Sequence, residues 1–334
     1  MIMCFRDKGL IFLVFLLSSC GRSLVNSPDS SGQGSEIYIV ADKSVWDGPL
    51  GDTLRSFFMT DYEGLPEAEP DFKLVFIPEE NFSKDLKTRR DILFVDISSQ
   101  YKQGVVETLE NVWAHPQRVF KIKAGSDTAG IKSFGENALA IMELFNQSAR
   151  AQCRALIAQS RNTEAEKTLS DAFDVEIAIP KNFVIAKKTT DFTWLRAETD
   201  TCSLGLFIYT LPYQDTSQLA PASVLDTRDL FAKRYFPTPS GAAYMMVERE
   251  ALLPVSHRML FKGMYALETR GLWRTKGDTK GGPFVNYTIV DAPRQRIIVF
   301  DGFVYSPARP KRDYMRQFET IIWEADMGKV AGKE

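Results

Sequence analysis

The densest group of residues able to hold a ligand is Glu268-Thr-Arg-Gly-Leu-Trp-Arg-Thr-Lys276. On a strand, alternation sends Glu268 and Arg270 to the face opposite Tyr265 and Leu267, where both charges can meet solvent or a ligand. Trp273 with Arg270 and Arg274 offers a ring to stack on a sugar and guanidinium forks to grip an acidic group. The competing reading is a Trp that closes the sheet end beside a structural Arg–Glu pair. Trp194 and Arg196, two apart on an expected strand, share a face and would extend the patch if their strand lies nearby. These six residues form the candidate ligand-binding set.

Catalytic inventories are poorer. The two histidines, His115 and His257, have no Cys or His partner at metal-ligand spacing, so no metal is expected. No Gly-x-Ser-x-Gly elbow occurs. Glu67/Glu69 and Glu248/Glu250 are paired acids of the kind a glycosidase uses, but surface carboxylates are the commoner meaning of such pairs. The segment Gly277-Asp-Thr-Lys-Gly-Gly-Pro283 lacks the Gly-Lys-Ser/Thr ending of a phosphate loop and leads into a strand instead of a helix. No catalytic residue and no cofactor are therefore assigned. The leading expectation is a non-enzymatic binding or assembly factor, and the alternative is a carboxylate-dependent enzyme acting on peptidoglycan or another envelope glycan.

What holds such a patch in place begins with the N-terminus. Arg6 and Lys8 precede the apolar run Leu10-Ile-Phe-Leu-Val-Phe-Leu-Leu17, which is too short to cross a bilayer. Leu17-Ser-Ser-Cys20 resembles the lipobox of bacterial lipoproteins, which implies cleavage before Cys20 and lipid on that cysteine, so the expected partner is a membrane reached through N-terminal lipid. Residues 1–19 read as a signal peptide and 20–35, rich in Ser, Gly and Asn, as a flexible tether.

The whole-chain charge of −2 gives no reason to expect nucleic acid. The distribution is uneven: residues 258–316 hold 12 basic against 5 acidic side chains. Such a stretch could present a cationic face to envelope lipid, glycan or protein, or pair with the acidic remainder. Once Cys4 is removed and Cys20 lipidated, Cys153 and Cys202 remain. A disulfide between them is open in an oxidising compartment, although Cys153 lies on an apolar helical stripe where a thiol packs as a small hydrophobe.

The ordered chain reads as α+β, in two α/β subdomains with largely antiparallel sheets covered by helices. In the N-terminal half, 36–175, strands are expected at Glu36–Ala41, Phe72–Ile77, Ile92–Ile97 and Arg118–Ala124, with a short helix near Phe82–Lys87. Asp47-Gly48-Pro49 starts a helix. A long helix near Ile131–Ser160 and another opening at Thr163, with Glu166 at capping-box spacing, should cover one face of that sheet. In the C-terminal half, 176–327, strands follow at Phe183–Lys187, Phe192–Glu198 and Leu204–Leu211. A helix at Pro221–Tyr235 comes next, then one strand through Met259, Phe261, Tyr265 and Leu267, then Phe284–Val290 and Arg296–Tyr305. Tyr314, Phe318, Ile321 and Ile322 share a face of a last helix. The layout of the C-terminal half is similar to the Mog1/PsbP-like α/β/α sandwich, a fold class made up mostly of binding or assembly factors, and layout alone says little about function.

Several segments resemble a family of Bacteroidota lipoproteins, domain-of-unknown-function family 4837: Leu65-Pro-Glu-Ala-Glu-Pro70, Trp113-Ala-His-Pro-Gln117, Asp191-Phe-Thr-Trp-Leu-Arg196, Glu268-Thr-Arg-Gly-Leu-Trp-Arg274, Gly281-Gly-Pro-Phe284 and Lys311-Arg-Asp-Tyr-Met-Arg316. The resemblance spans nearly the whole exported chain and implies a periplasmic or outer-membrane lipoprotein, with no activity to carry over. Surface-exported lipoproteins of such bacteria tend to carry acids just after the lipidated cysteine. Here Gly21, Arg22 and Ser23 follow and the first acid is Asp29, which favours the periplasmic face.

Overall fold

A strand buried on both faces needs a continuous apolar run, and Ile37-Tyr-Ile-Val-Ala41 supplies one. The computed structural model describes residues 27–236 and 243–328, so the signal segment and Cys20 lie outside the described residues. The first half runs β1 (Glu36–Ala41), α1 (Lys43–Trp46), α2 (Pro49–Phe58), β2 (Lys73–Pro78), β3 (Asp91–Ile97), β4 (Val105–Glu110), β5 (Arg118–Ala124) and the 33-residue α3 (Asp127–Gln159). Its sheet has the order β2-β1-β3-β5-β4.

In that sheet β1 is parallel to β2 and to β3, β3 is parallel to β5, and β4 alone is antiparallel. The expectation of largely antiparallel sheets thus needs correcting here. Long crossovers through α1 and α2 and through the 79–90 loop return the chain to the same end of the sheet each time, which only parallel neighbours allow. Ile37, Ile39 and Ala41 pack under α2 and α3, while Tyr38 and Val40 meet Ile77, Ile92 and Val119 on the other side. In place of one helix over 82–87, a 3-10 turn at Glu79–Asn81 precedes the stretch and another at Leu86–Thr88 overlaps its end.

The second half comprises α4 (Thr163–Phe173), β6 (Val184–Lys188), β7 (Phe192–Glu198), β8 (Ser203–Pro212), α5 (Pro221–Tyr235), β9 (Tyr244–Glu248), β10 (Val255–Phe261), β11 (Met264–Lys276), β12 (Gly281–Asp291), β13 (Arg296–Tyr305) and α6 (Arg312–Glu324). Its sheet, β10-β11-β12-β13-β8-β7-β6 with β9 on β11, is antiparallel throughout. The chain is therefore α+β. The single strand expected through Met259 to Leu267 is a hairpin: Lys262 and Gly263 both take positive φ, 49° and 86°, and bring Phe261 opposite Met264. A two-residue turn puts Phe261 and Met264 on one face, so the alternation changes phase at the bend: Met259 and Phe261 join Ala266 in one core, while Tyr265 and Leu267 lie on the opposite face.

Two helices were expected on the first sheet; α3 covers it, whereas α4 inserts Ala165, Leu169 and Phe173 into the core of the second. The α4 cap is the side chain of Asn162, which accepts from the Ala165 N–H, and Glu166 instead binds Arg161 and the Ile179 N–H. One face of the large sheet packs on α4 and α6 and the other on α5. Four of the twelve basic residues in 258–316 pair with acids of the earlier chain: Arg274–Glu248, Arg294–Asp174, Lys311–Glu67 and Arg316–Asp71.

The flexible tether expected up to residue 35 is fixed from Pro28 onward. The His115 N–H donates to the Pro28 carbonyl (2.9 Å), Ser30 N–H to His115 (3.0 Å), Ser31 N–H to Thr88 (2.8 Å) and Arg90 N–H to Ser31 (2.9 Å). Among the described residues no helix is long and apolar enough to cross a membrane.

A cleft between the two halves

The joint between the halves is built from two of the segments singled out above. Glu69 reaches across to accept from the Lys311 N–H (2.7 Å) and the Arg312 N–H (2.9 Å), capping α6, which has no side-chain cap of its own. Glu67 takes the Lys311 ammonium at 2.7 Å, and Arg312 donates to the Pro70 carbonyl. The paired acids Glu67 and Glu69 are thus committed to holding a helix. Glu248 is likewise occupied by the Glu250 and Ala251 N–H groups and by Arg274.

Beside this joint lies a cleft of about 1030 Å³. Its floor holds Arg270, which donates from Nε to Glu268 (2.5 Å), from Nη1 to the Tyr62 hydroxyl (2.9 Å) and from Nη2 to Glu319. Tyr62 in turn donates to Glu319. The loop bearing Tyr62 comes this close because Gly64, at φ +85°, sits where an added Cβ would be 2.9 Å from the Arg270 Cβ. Arg316 lies over Phe72 at 4.6 Å and anchors to Asp71 at 2.6 Å. At the rim, His257 Nε2 meets Glu63 at 2.7 Å. Leu139, Met142 and Leu156 of α3 form an apolar wall.

The electrostatics favour fixed charges over proton transfer. Burial works against ionising Glu319, yet the charge of Arg270, the Tyr62 hydroxyl and Arg316 hold it below the ordinary carboxylate range. Burial would also ease the proton from Arg270, but the negative charge of Glu319 and Glu268 more than offsets this. Tyr62 and Tyr287, the latter directly opposite Glu268 on β12, are raised well above the usual phenol value, first by burial and then by Glu319. A cation, an ionised carboxylate and two protonated phenols make a preorganised polar floor suited to hydrogen bonding.

Of the six expected site residues, the structure brings Glu268 and Arg270 together and disperses the rest. Trp273 is 3% exposed, donates its indole N–H to the Val304 carbonyl (3.1 Å) and packs with Phe236 and Phe303 under α5, on the opposite face of the sheet. Its fit needs Gly282, where an added Cβ would stand 2.0 Å from the Val304 oxygen. The stacking role proposed for Trp273 is therefore corrected to a core role, because residues three apart on a strand point to opposite faces. Arg274 is on the surface with Glu248. Trp194 packs against Phe236 and Phe207 in that same core, with Arg196 beside Glu198. Their strand, β7, is four strands from β11, so it does not extend the patch. Cys153, at the cleft, and Cys202, buried, are both free thiols.

Of the residues that complete the cleft, Arg316 ends one of the resembling segments, whereas Tyr62 and Glu319 had no local signature. Only the Leu65–Pro70 and Lys311–Arg316 resemblances flagged their neighbourhoods.

Residues 162–323 match a family described as Domain of unknown function (DUF4837), and residues 30–158 match another, Domain of unknown function (DUF8532). The resemblance drawn over nearly the whole chain thus narrows to its second half, and Leu65–Pro70 and Trp113–Gln117 fall within the second family's match. No curated protein matches the sequence. The chain is similar to families of unknown function, and the cleft lies where the two matched regions meet.

Proposed function

We propose that this protein is a lipid-anchored lipoprotein of a Bacteroidota envelope, held through Cys20 at the periplasmic face of the outer membrane, and that it binds an envelope component in the cleft between its halves. The lipobox-like segment and the family resemblance support the location. The observation that supports binding is the Arg270 network: its charges are matched to one another and held in fixed geometry, with an apolar wall facing them across an open cleft. No observation at Glu67/Glu69 or Glu248/Glu250 favours the glycan-cleaving alternative, since these acids serve backbone and basic partners.

The test is in-cell photo-crosslinking from position 139, on the cleft wall and largely exposed. A single envelope protein, lipid or glycan captured there, and lost on Leu156→Arg, is the expected result. No capture above background by a protein that is folded and acylated would sink the reading.

A further inference from the structure

We propose that a second hollow, beside the point where the N-terminal segment joins the body, holds the phosphate of anionic membrane lipid headgroups. This rests on the reading that Cys20 carries the anchor. The hollow has a volume of about 480 Å³ and is lined by Arg90, Arg118, Arg150 and Arg154 against Glu110 and Glu324. Arg90 and Arg118 stand side by side where β3 and β5 begin, the Arg118 N–H donating to the Arg90 carbonyl at 2.8 Å. Arg150 and Arg154 come from consecutive turns of α3.

Three of these arginines hold a single carboxylate each: Arg118 with Glu110, Arg150 with Glu143 and Arg154 with Glu324. Arg90 forms no ion pair with a described residue, and its Nε is buried without a hydrogen-bond partner. The adjacent Asp91 carboxyl is a weak counter-ion, because burial pushes it up to about 7. A half-buried guanidinium with only a weak counter-ion is costly, and a phosphate in the hollow would supply the charge-assisted hydrogen bonding that arginine favours.

The position of the hollow says which phosphate. His115 lines it and also clamps Pro28 and Ser30 through backbone bonds. Eight residues of chain separate Cys20 from Pro28, at most about 28 Å when fully extended. With lipid on Cys20, the rim of the hollow therefore stays within reach of the headgroup layer, where lipid phosphates far outnumber any soluble phosphate.

The experiment uses the mature chain, residues 20–334, with Cys20→Ser, so that neither the signal segment nor the anchor can mask headgroup binding, floated with vesicles of phosphatidylglycerol and phosphatidylcholine in equal parts or of phosphatidylcholine alone. Binding to the anionic vesicles is expected to weaken about fivefold for Arg90→Gln and again for the exposed Arg154→Gln. Arg234→Gln, on α5, should leave it unchanged. Equal binding to both vesicle types, or indifference to both Arg90→Gln and Arg154→Gln, overturns the proposal. Arg90-dependent calorimetric binding of inorganic phosphate without vesicle binding would overturn the lipid source. Mass spectrometry of the protein with its natural Cys20, purified from membranes, separates the two readings. An unacylated Cys20 removes the premise, whereas an acylated Cys20 with indifferent vesicles overturns the hollow alone.

Discussion

Two buried arginines serve opposite faces of the large sheet, and their surroundings differ in one respect. Arg228, from α5, is 1% exposed and grips Asp301 of β13 through Nε (2.8 Å) and Nη2 (3.1 Å), with Phe284 stacked at 3.9 Å and Asn286 donating to the same carboxylate. Arg270 pairs with two carboxylates, Glu268 and Glu319, but its network floors a cleft that water or a ligand can enter. A sealed pair can only stabilise or specify the fold, whereas a pair with one open side can exchange part of its hydrogen bonding with a partner. Arg228 was not among the residues whose spacing suggested chemistry, and its burial places it with the core.

That contrast can be broken most directly at the sealed pair. Arg228→Met should lower the unfolding free energy by about 3–5 kcal/mol in urea titration, because Asp301 is left buried without its cation. The double variant Arg228→Met/Asp301→Leu should recover most of it. A loss below about 1 kcal/mol would mean that water reaches Asp301 and that the two faces are alike. Trp273→Ala should cost about 3 kcal/mol by opening the core under α5, and it should leave crosslinking from position 139 unchanged. Arg270→Gln should cost less, about 2 kcal/mol, since cleft water can resolvate Glu268 and Glu319. The same variant should weaken capture in the cleft, which neither of the other two does.

How far these outcomes could be foreseen varies with the range of the interaction. Alternation correctly paired Glu268 with Arg270, and the same period assigned Trp273 to the other face; grouping the three by sequence proximity overrode it. Strands such as β7, β8 and β13 announced themselves by apolar runs. The edge strand β4, Val105-Val-Glu-Thr-Leu-Glu110, did not, because half its side chains are charged or polar and partly exposed. Tyr62 and Glu319 reach Arg270 from 208 and 49 positions away, and no local pattern encodes such a meeting. The fixed stretch from Pro28 was missed for a related reason: Ser and Gly composition suggests freedom, while backbone bonds to His115 and Thr88 depend only on the neighbouring loops.

Acidity offers the finest test, by comparing a carboxylate held by an arginine with one that is not. Glu319, gripped by Arg270, has a folded pKa below its ordinary value of 4.5. Its contribution is therefore complete above that value and is lost as pH falls through the depressed folded value. Asp91 is 1% exposed and forms no ion pair with a described residue, and its pKa rises from 3.8 to about 7, through burial first and against the pull of the Ser148 hydroxyl, Arg90 and Arg118. The sign is reversed: the folded protein holds that proton more tightly, so the advantage is complete below 3.8 and disappears as pH climbs through about 7. Each unit of difference is worth about 1.4 kcal/mol. Denaturation midpoints across the acid range should fall less steeply for Glu319→Gln than for the natural chain. Between the ordinary aspartate range and neutrality, Asp91→Asn should remove a decline that the natural chain shows. If Glu319→Gln leaves the acid limb unchanged, Arg270 is not holding an ionised carboxylate, and the cleft floor carries less fixed charge than its geometry implies.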